Sequence, residues 1–166
     1  FSESCEIDQN KLVDKYRLFQ SALHPDRFIN ASDQERRISV QSTVFINEAY
    51  STLKSDLKRA HYLLKLSNIE FNTDTETSSD AVFLTQQMEL HERVEEVDHA
   101  SDPMMALDAL ALELSQQQAQ FISQFSKQYA DKDLSAAKHT VLKLQFYKRL
   151  TSQVRKKLEQ YEEELL

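Results

Sequence analysis

Residues 12–28 read LVDKYRLFQSALHPDRF. Leu12, Tyr16, Phe19 and Leu23 recur at spacings of four, three and four, which puts them on one face of a helix. Asp8 stands where that helix needs an N-cap. Pro25 ends it, because the residue before a proline is pushed out of the α region. The polar triad His24-Pro25-Asp26 therefore falls at the helix end, with a loop expected from Asp26 to Ala31. Ser32 and Glu35 then make a capping-box pattern. A second helix is predicted to about Leu53, with Ile38, Phe45, Ala49 and Leu53 on one side. The expected start of the fold is a helical hairpin with an exposed polar loop.

The rest of the chain has the same character. Ser55 or Asp56 caps a short helix containing Leu57, Ala60, Leu63 and Leu64. Residues 67–79, SNIEFNTDTETSS, are polar and turn-rich and read as a linker between domains 1–66 and 80–166. Ser79 or Asp80 opens a helix to about Ala100. Asp102-Pro103 is a cap followed by proline at the first helical position. That helix carries Leu107, Leu110, Leu114, Phe121, Phe125 and Tyr129. Asp131 or Asp133 opens the last helix, with Leu134, Ala137, Val141, Leu144, Val154, Leu158 and Tyr161. Almost no stretch alternates with period two, so the chain is predicted all-α. Three long amphipathic helices with short turns make an antiparallel three-helix bundle of residues 80–166.

Composition narrows the function. The 166 residues include no glycine, against about 7% on average. That argues against a Gly-rich phosphate cradle and a nucleotide site, and no cofactor is predicted. Cys5 is the only cysteine, which excludes an intrachain disulfide and fits the cytoplasm. No apolar run approaches a membrane span of about 18 residues. The net charge of −7 is uneven: residues 1–70 balance, whereas residues 71–113 carry one basic and eleven acidic side chains. Such a field repels nucleic acid and anionic membranes, and suits either a basic protein partner or simply a solvated helix face. The first residue is Phe1, and a short N-terminal piece is expected to precede it.

The loop triad can do specific chemistry. Pro25 fixes its own φ and stiffens the loop. Asp26 can present a carboxylate to an arginine of another protein, and His24 can pin the loop through a ring hydrogen bond. A plain helix-terminating turn would use the same residues, and a given tripeptide occurs by chance in roughly one such chain in fifty. The flanks are more specific. LVDKYRLFQSALHPDRF, followed by INEAYSTL at residues 46–53, resembles a J-domain, the co-chaperone module that stimulates ATP hydrolysis by Hsp70. Asn47, Ala49, Tyr50 and Leu53 fit that family's Asn-x-Ala-Tyr-x-x-Leu pattern. The resemblance implies that His24, Pro25 and Asp26 meet the Hsp70, aided by Lys15, Arg17 and Arg27. J-domains usually carry basic residues immediately before the triad. Ser21, Ala22 and Leu23 stand there instead, which suggests a specialised Hsp70.

The C-terminal half holds a second candidate site. Phe83, Gln87, Leu90, Val94 and Val97 should face the core. Leu84 and Met88 fall on a neighbouring stripe that Glu92 and Glu96 continue, an apolar pair beside a row of acids. That layout suits either a partner-binding face or a widened core stripe. Leu142 and Phe146 are candidates to sit beside it. The order of RAHYLLKL (59–66), FLTQQMELHERVEE (83–96) and AAKHTVLKLQFYKRL (136–150) resembles the HscB family, the J-proteins of iron–sulfur cluster assembly. This resemblance covers nearly the whole chain. It implies a non-enzymatic adaptor for an HscA-type Hsp70 and an IscU-type scaffold protein. Leu84, Thr85, Met88, Glu89, Glu92, Glu96 and Phe146 are then the scaffold-binding residues. Thr85 departs from the larger apolar residue often found there. Glu96 and His99 also form the Glu-x-x-His unit of di-iron bundles, but that site needs a second such pair and a fourth helix.

Overall fold

The computed structural model describes residues 7–72, 76 and 80–164. Six α-helices account for most of them: α1 Gln9–Leu23, α2 Asp33–Lys54, α3 Asp56–Leu66, α4 Ala81–Glu96, α5 Pro103–Ala130 and α6 Leu134–Glu164. Among the described residues there is no strand. The chain divides into two compact units, residues 1–63 and 64–166, with the division falling inside α3. The expected boundary at residue 66 lies three residues further on. Residues 73–75 and 77–79 of the expected linker, and Cys5, lie outside the described residues.

In the first unit, α1 and α2 form the hairpin. Asp8 caps α1 by accepting the Lys11 amide at 3.1 Å. The capping box of α2 is complete, with Ser32 N–H donating to Glu35 Oε2 at 2.9 Å and Glu35 N–H to Ser32 Oγ at 3.3 Å. Tyr16 and Tyr50 stack at 4.0 Å between ring centroids, and the Tyr16 hydroxyl donates to Asn47 Oδ1 at 3.0 Å. Two expectations need correction here. The segment after His24 is not an open loop, because Pro25–Phe28 winds into one 3₁₀ turn. The inner row of α2 is not Ile38 and Phe45, which are both exposed; Ser39 is the buried residue of that helix. A two-helix hairpin buries only its line of contact, so Phe19 and Phe45 instead line an apolar groove with Leu12, Ala49 and Leu53.

The second unit is built on α4, α5 and α6. Its core joins Phe83, Leu90, Val94 and Val97 of the first stretch to Leu107, Leu110 and Leu114 of α5 and Tyr147, Leu150 and Val154 of α6. The turn after α4 tightens to 3₁₀ over Val97–His99, so that helix ends before the expected Ala100. Leu142 is buried core rather than part of a surface face. Polar pairs hold the helices in register: Gln118 donates to Thr151 and Thr140 to Gln128, each at 2.7 Å. Lys157 bridges α6 to Asp98 at 2.8 Å, and Tyr161 donates to the same carboxylate at 2.6 Å.

With no glycine available, two helix ends among the described residues use other residues in the left-handed region. Asn68 has φ 59° and Lys132 φ 62°. Both close Schellman-type ends, with Ile69 N–H reaching Leu64 O and Asp133 N–H reaching Gln128 O, each at 2.9 Å.

Candidate functional site

The triad loop is built from its backbone outward. Pro25 occupies the first position of the 3₁₀ turn, where a missing N–H costs nothing. His24 caps that turn: its Nδ1 accepts the Asp26 amide at 3.3 Å, and its carbonyl accepts the Arg27 amide at 3.0 Å. Accepting at Nδ1 leaves the proton of a neutral ring on Nε2, pointing away from the backbone. The Asp26 carboxylate lies 3.5 Å from Nδ1 and is 79% exposed, so it is free to meet a cation from outside. The turn is thus a rigid mount for an imidazole edge and a carboxylate.

The three basic residues near the loop differ in their settings. Lys15 lines the apolar groove with Tyr16 and Phe19. Arg17, two residues on, projects from a different side of α1, because residues two apart do not share a helix face. Arg27 turns back, and its Nη1 donates to Ser21 O at 3.2 Å. Arg27 therefore holds the loop to the end of α1.

On α4, one long face is buried and the opposite one is open. Asp80 starts the helix by accepting the Val82 amide at 3.1 Å and the Phe83 amide at 3.3 Å. Lys143 reaches the same carboxylate at 2.8 Å from α6, and this bond, with the two amides, holds Asp80 below the usual carboxylate range. The helix start is thereby tied to α6. Leu84 is 41% and Met88 73% exposed, and Thr85, Glu89, Glu92 and Glu96 are exposed around them. The Thr85 hydroxyl is occupied, donating to Ala81 O at 3.2 Å. Phe146 is half-buried, edge-on to Phe83 at 5.6 Å and to Tyr147 at 5.5 Å, so it supports the face more than it projects from it. His91 is an exposed member that pattern reading missed; its ring packs edge-on against Phe146 at 5.5 Å. Its place three residues after Met88, on the same side of α4, was the available signal. Beside this face, Arg93 and Glu113 form a two-pronged ion pair at 3.0 and 2.7 Å, which lowers the Glu113 pKa and raises that of Arg93.

Glu96 ends α4 and His99 lies in the following 3₁₀ turn. Among the described residues no three His, Cys, Asp or Glu side chains converge on a site able to hold a metal ion. Nor is any described helix long and apolar enough to cross a membrane.

Residues 79–164 match the family described as the HSCB C-terminal oligomerisation domain. The co-chaperone protein HscB homolog of Vibrio cholerae serotype O1 (strain M66-2) is 38% identical over 161 residues, spanning 97% of this chain and 92% of its own. The chain belongs to the HscB family. The solved structure of chaperone HscB from Vibrio cholerae superimposes with a TM-score of 0.86 at 37% identity, covering 100% of this chain and 95% of that one. Human co-chaperone protein HscB gives the same TM-score at 29% identity, over 94% of this chain and 77% of its own. The fold is accordingly that of an HscB: an all-α J-domain hairpin followed by a C-terminal helical bundle.

Proposed function

We propose that this HscB-family co-chaperone is an adaptor in iron–sulfur cluster assembly, with one contact on each unit. The J-domain, residues 1–66, presents His24, Pro25 and Asp26 to an HscA-type Hsp70 and stimulates its ATP hydrolysis. The bundle, residues 80–166, holds an IscU-type scaffold protein on the open face of α4. Residues 67–79 connect the two, and the setting is the cytoplasm. The observation that carries the Hsp70 contact is the exposed Asp26 carboxylate on a loop whose backbone is already hydrogen-bonded in place. A fixed carboxylate suits a bidentate arginine of the partner. Leu84 and Met88, continued toward the end of α4 by Glu89, Glu92 and Glu96, give the second face an apolar half beside a row of acids. Joining both contacts in one chain raises the local concentration of scaffold at the Hsp70.

Single-turnover ATP hydrolysis by the cognate Hsp70 tests the reading. Hydrolysis accelerates when this protein is added and accelerates further with the scaffold. Asp26→Asn abolishes the acceleration and leaves scaffold affinity unchanged. Stimulation indifferent to the scaffold would remove the bundle contact, and an Asp26→Asn protein that still stimulates would remove the loop contact.

A further inference from the structure

The geometry points to Ser39 and Thr43 as positioning residues for the His24-Pro25-Asp26 loop, an inference that rests on the loop being the Hsp70 contact. A helix leaves its last four carbonyls without donors of its own. At the end of α1 the last of these is Leu23 O, immediately before the triad. Two hydroxyls of α2 converge on it, Ser39 Oγ at 2.7 Å and Thr43 Oγ1 at 3.1 Å. Thr43 Oγ1 also lies 2.9 Å from Ser39 O, so its one proton is shared and Ser39 makes the firmer bond.

Ser39 is 1% exposed and is the buried residue of α2. The innermost position of an amphipathic helix normally takes an apolar side chain, since a hydroxyl there must be desolvated and satisfied. The Leu23 carbonyl accounts for the exception. The other loop contacts, from Asp26 N–H to His24 Nδ1, from Arg27 N–H to His24 O and from Arg27 Nη1 to Ser21 O, set the internal shape of the turn. The two α2 hydroxyls set where that shape sits on the hairpin. Neither hydroxyl belongs to the triad. Their effect is on the fraction of molecules whose loop is correctly placed, and apparent affinity falls in proportion to that fraction.

The test pairs Ser39→Ala with Thr43→Val, which removes both donors and nearly preserves volume. The full chain is titrated into single-turnover ATP hydrolysis by the cognate Hsp70. The concentration for half-maximal stimulation rises about tenfold, as expected for two lost hydrogen bonds, while the plateau at saturation is retained. The S39A/T43S protein, which returns the position-43 hydroxyl but not the firmer Ser39 bond, falls back to the roughly threefold shift of S39A alone. A merely structural role would lower the melting temperature and leave the titration in place, so superimposable curves from a folded S39A/T43V protein overturn the proposal. Asp26→Asn, run alongside, separates the two levels. Full stimulation by Asp26→Asn sinks the loop reading and this inference together. Its loss, with an unshifted S39A/T43V curve, sinks the positioning role alone. If S39A/T43V does not fold, S39A and T43V are titrated singly, each with an expected shift of about threefold; coincidence of both with the parent overturns the proposal.

Discussion

Truncating Met88 and Leu84 one at a time should rank scaffold affinity and stability in opposite orders. Met88 is 73% exposed and Leu84 41%. Fully burying such a side chain stabilises by about 1.5–3 kcal/mol. Taking about 2 kcal/mol for each, Met88 has about 1.5 kcal/mol left to gain on docking and gives about 0.5 kcal/mol to the fold. Leu84 has about 0.8 kcal/mol left to gain and already gives about 1.2 kcal/mol. Met88→Ala should therefore weaken scaffold binding about tenfold and Leu84→Ala about fourfold. In thermal melts the order reverses, with Leu84→Ala the less stable protein. Alanine favours the helix slightly at both sites, so propensity does not change the ranking. Phe146→Ala is a poorer probe, because its ring packs on Phe83 and Tyr147 and truncation disturbs the core. Calorimetric titration with the scaffold protein and a melt of each variant decide the matter. Unchanged affinity in Met88→Ala would refute the assignment of this face, and a Leu84→Ala effect larger than that of Met88→Ala would refute the exposure argument.

Two further outcomes follow from the caps and the charges. Ser32→Ala removes half of the capping box and should lower stability by about 1 kcal/mol in denaturant titration, with scaffold affinity unchanged. Glu35 sits below the usual carboxylate range through its bonds to Ser32, Asp98 through Lys157 and Tyr161, and Glu113 through Arg93. Lowered folded-state values mean that the unfolded chain binds more protons in acid. Their stabilisation is fully present above the ordinary carboxylate pKa of about 4 and is lost as pH falls through the folded values. The melting temperature should fall between pH 5 and pH 3; a flat profile would mean these pairs do not form in solution.

Much of the fold could be read from side-chain spacing, because spacing reports burial. Phe83, Leu90, Val94 and Val97 are buried as a stripe in the structure, and Asp8, Ser32, Asp80 and Asp102 each accept backbone amides at helix starts. The 3₁₀ turns at Pro25–Phe28 and Val97–His99 were not legible, since local tightening depends on a cap or a following loop and not on periodicity. Ser39 was missed for a related reason. A hydrophobic stripe cannot reveal a polar residue that is buried for the sake of a carbonyl on another helix. Spacing puts Leu84 and Met88 on a stripe of their own but leaves open whether that stripe is core; their exposure, the half-burial of Phe146 and the placing of His91 against it require α6 to be in position. Lys15 in the groove and Arg27 turned back to Ser21 O show the converse limit. A list of basic residues near a motif says nothing about which sides of the helix they leave from.

The left-handed Asn68 and Lys132 bear on the unfolded chain as well as the folded one. A side chain in that region costs about 1–2 kcal/mol for an ordinary residue, less for asparagine, and glycine would avoid it. Yet every glycine also widens the disordered ensemble, and replacing one by alanine at a compatible site stabilises by about 0.4–1 kcal/mol through that ensemble alone. A glycine-free sequence of 166 residues confines its denatured state everywhere and, among the described residues, concentrates its left-handed backbone at two helix ends.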